Sequence, residues 1–148
     1  MIYLGADHGG YKLKEKIKSF LKESNYDYED LGNLEYDKDD DYPDYAFKVA
    51  EKVSKNKNNK GILLCRSSGG MVIAANKVKN IRAVSVIDEK SVKHAVQHNN
   101  ANIIALPGDW ITADKAKKLV KLFLTIKFSK EKRHVRRLKK IIKYETKH

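Results

Sequence analysis

Gly61-Ile-Leu-Leu-Cys-Arg-Ser-Ser-Gly-Gly-Met-Val-Ile-Ala-Ala-Asn-Lys77 is the stretch on which the fold turns. Gly61 to Leu64 is a short apolar run, the pattern of a strand buried on both faces. Ser67, Ser68, Gly69 and Gly70 make a small, flexible turn, and from Met71 to Lys77 the period becomes helical. A strand feeding such a turn into a helix leaves backbone N–H groups unpaired. Orphan donors and the helix dipole together favour an anion there. Cys65, the only cysteine of the chain, stands at the carboxyl end of the strand, immediately before that nest. A thiol in this place suits chemistry or plain burial equally well.

Working outward, the same alternation recurs. Ile2 to Ala6 reads as a strand that ends in Asp7-His8-Gly9-Gly10. The helix after it carries Leu13, Ile17, Phe20 and Leu21 inward, with Lys12, Lys14, Glu15, Lys16 and Lys18 mostly outside. Tyr26 to Leu31 reads as the second strand, and an acidic loop then leads to Pro43 in the first turn of a helix. Arg82 to Ile87 and Asn102 to Leu106 are the fourth and fifth strands. Asp88 and Thr112 stand where N-caps belong. A basic last helix runs from about 129 to 144. Strands alternating with helices predict βαβ units: one α/β domain over 1–148, Rossmann-like, three-layer α/β/α, with a five-stranded parallel sheet. Ligands of such sheets bind beyond the carboxyl ends of the strands. Asp7-His8, Cys65 to Gly70 and Pro107 to Asp109 lie there. His98-Asn99, at a helix end before the fifth strand, is expected to join them in one crevice.

Composition narrows the function. The chain has 148 residues and one cysteine, so no internal disulfide forms. No apolar run approaches the length of a membrane span, and Met-Ile-Tyr-Leu-Gly lacks the features of a signal peptide, so a cytoplasmic protein is expected. Net charge is +12, of which residues 127–148 hold +8. Nucleic acid is therefore not expected as a partner of the chain at large, because Glu35 to Tyr42 is acidic and no RNA-binding aromatic motif or zinc-finger spacing appears.

Individual residues carry competing readings. Asp7-His8 is either a His held by a carboxylate for proton transfer near neutral pH, or a helix cap beside an exposed His. His98-Asn99 suits a helix C-terminus as well as a site. Arg133 and Arg137 stand one helical turn apart, so they can clamp a phosphate or simply face water. His94 and His148 read as surface residues, and no His/Cys/Asp/Glu group has metal-ligand spacing.

Taken in order, Leu4-Gly-Ala-Asp-His-Gly-Gly10, Asp41-Tyr-Pro-Asp-Tyr-Ala46, Gly61 to Cys65, Ile73-Ala-Ala-Asn-Lys-Val78, Ile81-Arg-Ala83, His98-Asn-Asn-Ala-Asn102 and Arg133-His-Val-Arg-Arg137 resemble the ribose-5-phosphate isomerase B family, which also includes the galactose-6-phosphate isomerase subunits. The resemblance implies a homodimer, with active sites drawing on both subunits. It implies interconversion of aldose and ketose phosphates through an enediolate, with no metal or organic cofactor. It makes Cys65 the base and His98 a proton donor. Asp7 and His8 touch the sugar and help open its ring, Asn99 binds a hydroxyl, and Tyr42 belongs to the substrate-binding set. Arg66, Ser67, Ser68, Gly69 and Gly70 hold the enediolate oxygen, and Arg133 and Arg137 bind the phosphate. The implied substrate is ribose 5-phosphate. A six-carbon sugar phosphate of the galactose or allose type is the alternative inside the enzyme class; a weakly catalytic binder of phosphorylated ligands or nucleic acid is the alternative outside it. Arg66 and Ser68 stand where the family usually has glycine, and Asp109-Trp110 where it commonly has arginine.

Overall fold

A computed structural model describes all 148 residues. The order is β1 (Ile2–Ala6), α1 (Tyr11–Glu23), β2 (Tyr28–Asp30), α2 (Tyr42–Ser54), β3 (Lys60–Cys65), α3 (Gly69–Ala75), β4 (Ala83–Ser85), α4 (Glu89–Asn99), β5 (Ile103–Pro107), α5 (Ala113–Thr125) and α6 (Lys132–Lys147). All strand pairs are parallel, in the order β2-β1-β3-β5-β4. The central strand is β3, as its unbroken apolar run requires. Ile62 and Leu64 face one core with Leu13, Ile17, Val96, Leu119 and Phe123, whereas Leu63 and Cys65 face the other with Val49, Val53 and Met71. Helices α1, α4 and α5 thus cover one face of the sheet, and α2 and α3 the other. Each fully buried Leu or Ile contributes about 2 kcal/mol through the apolar surface it removes from water.

The expected elements are present with adjusted ends. The edge strands β2 and β4 have three residues each, shorter than Tyr26–Leu31 and Arg82–Ile87, because each pairs on one side only. Part of the free side of β4 is met by a side chain: Asn76 both donates to and accepts from the Ala83 backbone. Helix α3 starts at Gly69, two residues before the helical period is visible, and α6 starts at Lys132 rather than near 129. The two caps form as expected. Asp88 and Ser91 make a reciprocal capping box, and Thr112 Oγ1 accepts from the Lys115 N–H.

Lys14 corrects the pattern. Its place among α1 lysines suggested solvent, yet it is fully buried, with Nζ 2.5 Å from Asp30 Oδ2 and 2.7 Å from the Asn33 carbonyl. Periodicity reports faces of a helix, not the acid that a neighbouring strand delivers to one of them. Burial opposes the charge on Asp30, but hydrogen bonds from Lys14, Lys18 and the Gly32 N–H hold its carboxyl below the ordinary range. Removing one member of a buried ion pair strands the other. Lys14→Met is therefore expected to lower the unfolding free energy by about 3 kcal/mol, read as a reduced urea midpoint at unchanged m-value. An unshifted midpoint would show that Lys18 alone carries Asp30.

Candidate active site

The carboxyl ends of β1, β3 and β5 converge. The turn after β1 lies directly on β3: a Cβ at Gly10 would sit 2.2 Å from the Leu64 carbonyl oxygen, so only glycine allows that approach. Gly108 donates to the Cys65 carbonyl at 2.7 Å, and Asp109 donates to that of Arg66 at 3.2 Å. From α2, the Tyr42 ring lies over Gly70, where a Cβ would meet its ring carbons at 2.5 Å. Asp7, His8, Tyr42 and Cys65 to Gly70 thus line one end of the sheet.

Cys65 is buried, and its Sγ accepts the Ser68 N–H at 3.0 Å. Burial pushes the thiol above its ordinary value and Asp7 adds to this, while the N–H groups of Ser68, Ser67 and Met71 pull the other way. Arg66 plays no part in that balance: it is exposed, its stem packs over Gly9, and its charge acts on His8. Ser68 adopts a left-handed conformation at φ 69°, which ordinarily favours glycine, and its hydroxyl is held by Ser85 at 2.5 Å. Asp109 and Trp110 stay exposed.

Asp7 is buried, and its carboxyl is raised by that burial, with His8 and the Gly10 N–H opposing. Asp7, His8 and Asp40 bring ligand-type atoms within 4.8 Å of one another. Sequence spacing gave no hint of this trio, because Asp40 arrives from the acidic loop. The closest contact within it is between His8 Nδ1 and Asp40 Oδ1, at 2.7 Å.

The other expected groups lie elsewhere. Gly61 at the start of β3 pairs with Ile103, and Cys65 at its end pairs with Pro107. His98 and Asn99 close α4 just before β5 begins, at the amino ends of the strands. About four residues of strand, or about 13 Å along it, separate that end from Cys65. One chain therefore does not gather His98 and Cys65 into a single crevice, contrary to the expectation from the strand-to-helix pattern. The reason is direction: α4 runs back against the sheet, so its last residues return to the start of β5.

A second cluster forms at that far end. The His98 ring lies 4.1 Å from His94 and 4.2 Å from His134, centroid to centroid. His134 is buried and its Nδ1 shares a hydrogen bond with Ser129 Oγ at 2.8 Å. Desolvation and then the charges of His94, His134 and Arg133 hold the His98 pKa below its ordinary value. Arg133 and Arg137 are exposed on α6, with Arg133 Nε 3.0 Å from Glu131. The structure thus places these side chains in two separate groups, a thiol with a nest at one end and histidines beside the basic helix α6 at the other.

Sequence reasoning passed over Asp40, Asn33 and the packing of His134. Asp40 sat inside Asp39-Asp40-Asp41, where no periodicity singles out one acid. The only signal for His134 was its place between arginines that project outward.

The family model described as Ribose/Galactose Isomerase matches residues 2–141. Among curated proteins, the chain is 43% identical over 145 residues to the probable ribose-5-phosphate isomerase B of Mycoplasma genitalium, covering 97% of this chain and 95% of that one. It is 39% identical over 147 residues to ribose-5-phosphate isomerase B of Mycobacterium tuberculosis, covering 99% and 91%. Among solved structures, ribose-5-phosphate isomerase B from Mycoplasma genitalium with bound ribulose-5-phosphate superposes with a TM-score of 0.95 at 42% identity, covering 99% of this chain and 97% of that chain.

Proposed function

From the premise that this chain belongs to the ribose/galactose isomerase family, we propose that it interconverts ribose 5-phosphate and ribulose 5-phosphate. The chain is an aldose–ketose isomerase acting on a phosphorylated sugar. The observation that carries the reading is Cys65 at the end of the central strand, with its Sγ against the first N–H groups of the following turn.

Isomerisation moves a proton between neighbouring carbons through an enediolate, so it needs a base, donors for the developing oxyanion and a proton source. Cys65 acts as the base. Backbone donors of the turn from Arg66 to Gly70, with the Ser67 hydroxyl, hold the oxyanion. Asp7, His8 and Tyr42 contact the sugar, Asn99 binds a hydroxyl and His98 supplies a proton. No metal or organic cofactor enters this scheme, so activity is expected to survive exhaustive chelation. The location is cytoplasmic.

The far placement of His98, Arg133 and Arg137 supports a dimer in which each site takes its thiol from one copy and its histidine and arginines from the other. Ile73, Ile87 and Ile141 are exposed and flank the free edge at β4, which suits burial against that second copy. No helix is long and apolar enough to cross a membrane.

The deciding experiment assays purified protein on ribose 5-phosphate and on allose and galactose 6-phosphates. The expected order puts the five-carbon substrate highest in kcat/KM. A six-carbon preference would move the assignment to the other branch of the enzyme class, and inactivity on all three would end it. For the clamp, Arg137→Ala is expected to raise KM about tenfold while kcat changes little, because the phosphate is bound remote from the reacting carbons. An unchanged KM removes Arg137 from the site.

A further inference from the structure

We propose that Asp40 is the positioning residue of His8, fixing the ring with Nδ1 protonated and Nε2 free to accept the anomeric hydroxyl proton when the sugar ring opens. The proposal rests on the reading that His8 touches the sugar.

Asp40 Oδ1 takes two contacts from one residue: the His8 backbone N–H at 3.0 Å and the ring Nδ1 at 2.7 Å. A carboxylate only accepts, so the ring must donate from Nδ1, and the neutral ring then carries its lone pair on Nε2. The Asp40 side chain is itself 4% exposed and held from behind. Asn33 Nδ2 donates to its other oxygen at 2.7 Å, the Asn33 N–H donates to the Ala6 carbonyl at 2.7 Å, and buried Lys14 donates to the Asn33 carbonyl at 2.7 Å. Four residues from β1, α1 and the loop before α2 thus orient one imidazole. The charged groups that face His8 are Asp40, Asp7 and Arg66. Its pKa is raised, chiefly by the Asp40 hydrogen bond, with Asp7 adding and Arg66 subtracting.

The chemistry balances without a co-reactant. Nε2 takes the proton of the anomeric O–H, that oxygen becomes the carbonyl, and the bond from C1 to the ring oxygen breaks with its electron pair going to the ring oxygen. Asp40 stabilises the imidazolium formed, which returns that proton to the ring oxygen, so the imidazole is regenerated and no outside proton source is needed. The arrangement matches the way an acid orients the histidine of a serine protease, where amide replacement leaves the geometry and upsets the tautomer.

Ribulose 5-phosphate has no ring to open, which separates this step from the work of Cys65. In Asp40→Ala, kcat/KM for ribose 5-phosphate is expected to fall about 100-fold. Deuterium uptake from D2O into C1 of ribulose 5-phosphate is expected to fall no more than about threefold, because Cys65 and its donors are untouched. Long-range ¹H–¹⁵N spectra of the full chain are expected to show neutral His8 as the Nδ1–H tautomer in wild type and shifted towards Nε2–H in Asp40→Ala. Asp40→Asn, which keeps the shape and removes the charge, is expected to lower the His8 pKa in the same spectra and serves if the alanine variant unfolds. An unchanged His8 tautomer in Asp40→Ala, an unchanged His8 pKa in Asp40→Asn, or equal losses of exchange and conversion in a folded variant overturns the proposal. His8→Asn is the control: full conversion there would sink the sugar contact itself, and the spectra still decide the pairing.

Discussion

Cys65→Ala is expected to lower kcat for ribose 5-phosphate about 10³-fold, with KM changed less than about threefold. In the proposed mechanism the sulfur removes the proton and the arginines proposed to hold the phosphate are untouched, so the loss falls on the chemical step. The substitution is mild for the fold. It leaves the Ser68 N–H without its 3.0 Å acceptor, at a cost of about 1 kcal/mol, and a small side chain still fills the site beside Met71. Circular dichroism and a melting curve close to wild type would confirm that the loss is chemical.

The pH profile gives the same claim a second edge. Burial holds Cys65 above the ordinary thiol value, and the base must be deprotonated to act. The kcat/KM of wild type is therefore expected to climb as pH rises through the Cys65 pKa, on the alkaline side of neutrality. A flat profile across that range, or an alanine variant with wild-type turnover, removes the thiol from the mechanism.

Much of the fold was legible because its signals are local. Gly61 to Leu64 announced a strand wet on neither face, and the structure puts β3 at the centre of the sheet. The caps at Asp88 and Thr112 are short-range hydrogen bonds and stood where the residue types put them. What escaped were contacts made at long sequence separation. Lys14 meets Asp30 and Asn33 through the pairing of β1 with β2, and Asp40 meets His8 across 32 residues of chain. Asp30 follows Glu29 at the end of β2 and Asp40 stands between two aspartates, so residue type marks neither. The candidate site divides the same way: residues directly after strands gathered as expected, whereas His98 required the direction of α4 to be known.

That division yields the sharpest test of the assembly. Cys65→Ala and His98→Asn are each expected to be nearly inactive as pure proteins, the second by about 10²-fold. If every site takes Cys65 from one copy and His98 from the other, a mixed dimer of the two variants has one site with both residues lost and one with both intact. Unfolding and refolding them together in equal amounts makes half of all dimers mixed, so about one quarter of wild-type activity returns. The arginines proposed for the phosphate do not blur the result, since Arg133 and Arg137 lie on α6 with His134, which stacks on His98, and travel with it. A site built within one chain predicts the opposite, because every copy in the mixture then lacks one of the two groups. The strand register favours the first outcome: β3 and β5 run in parallel from Gly61 beside Ile103 to Cys65 beside Pro107, with His98 left behind at the start. Recovery of activity in proportion to the mixed species, separated by a charge tag on one variant, would assign the two half-sites to different copies of the chain. A mixture that stays at the level of its parents would overturn the shared site, since Val92, Ala95 and Val96 hold α4 against the core and leave His98 no path to Cys65 of the same chain.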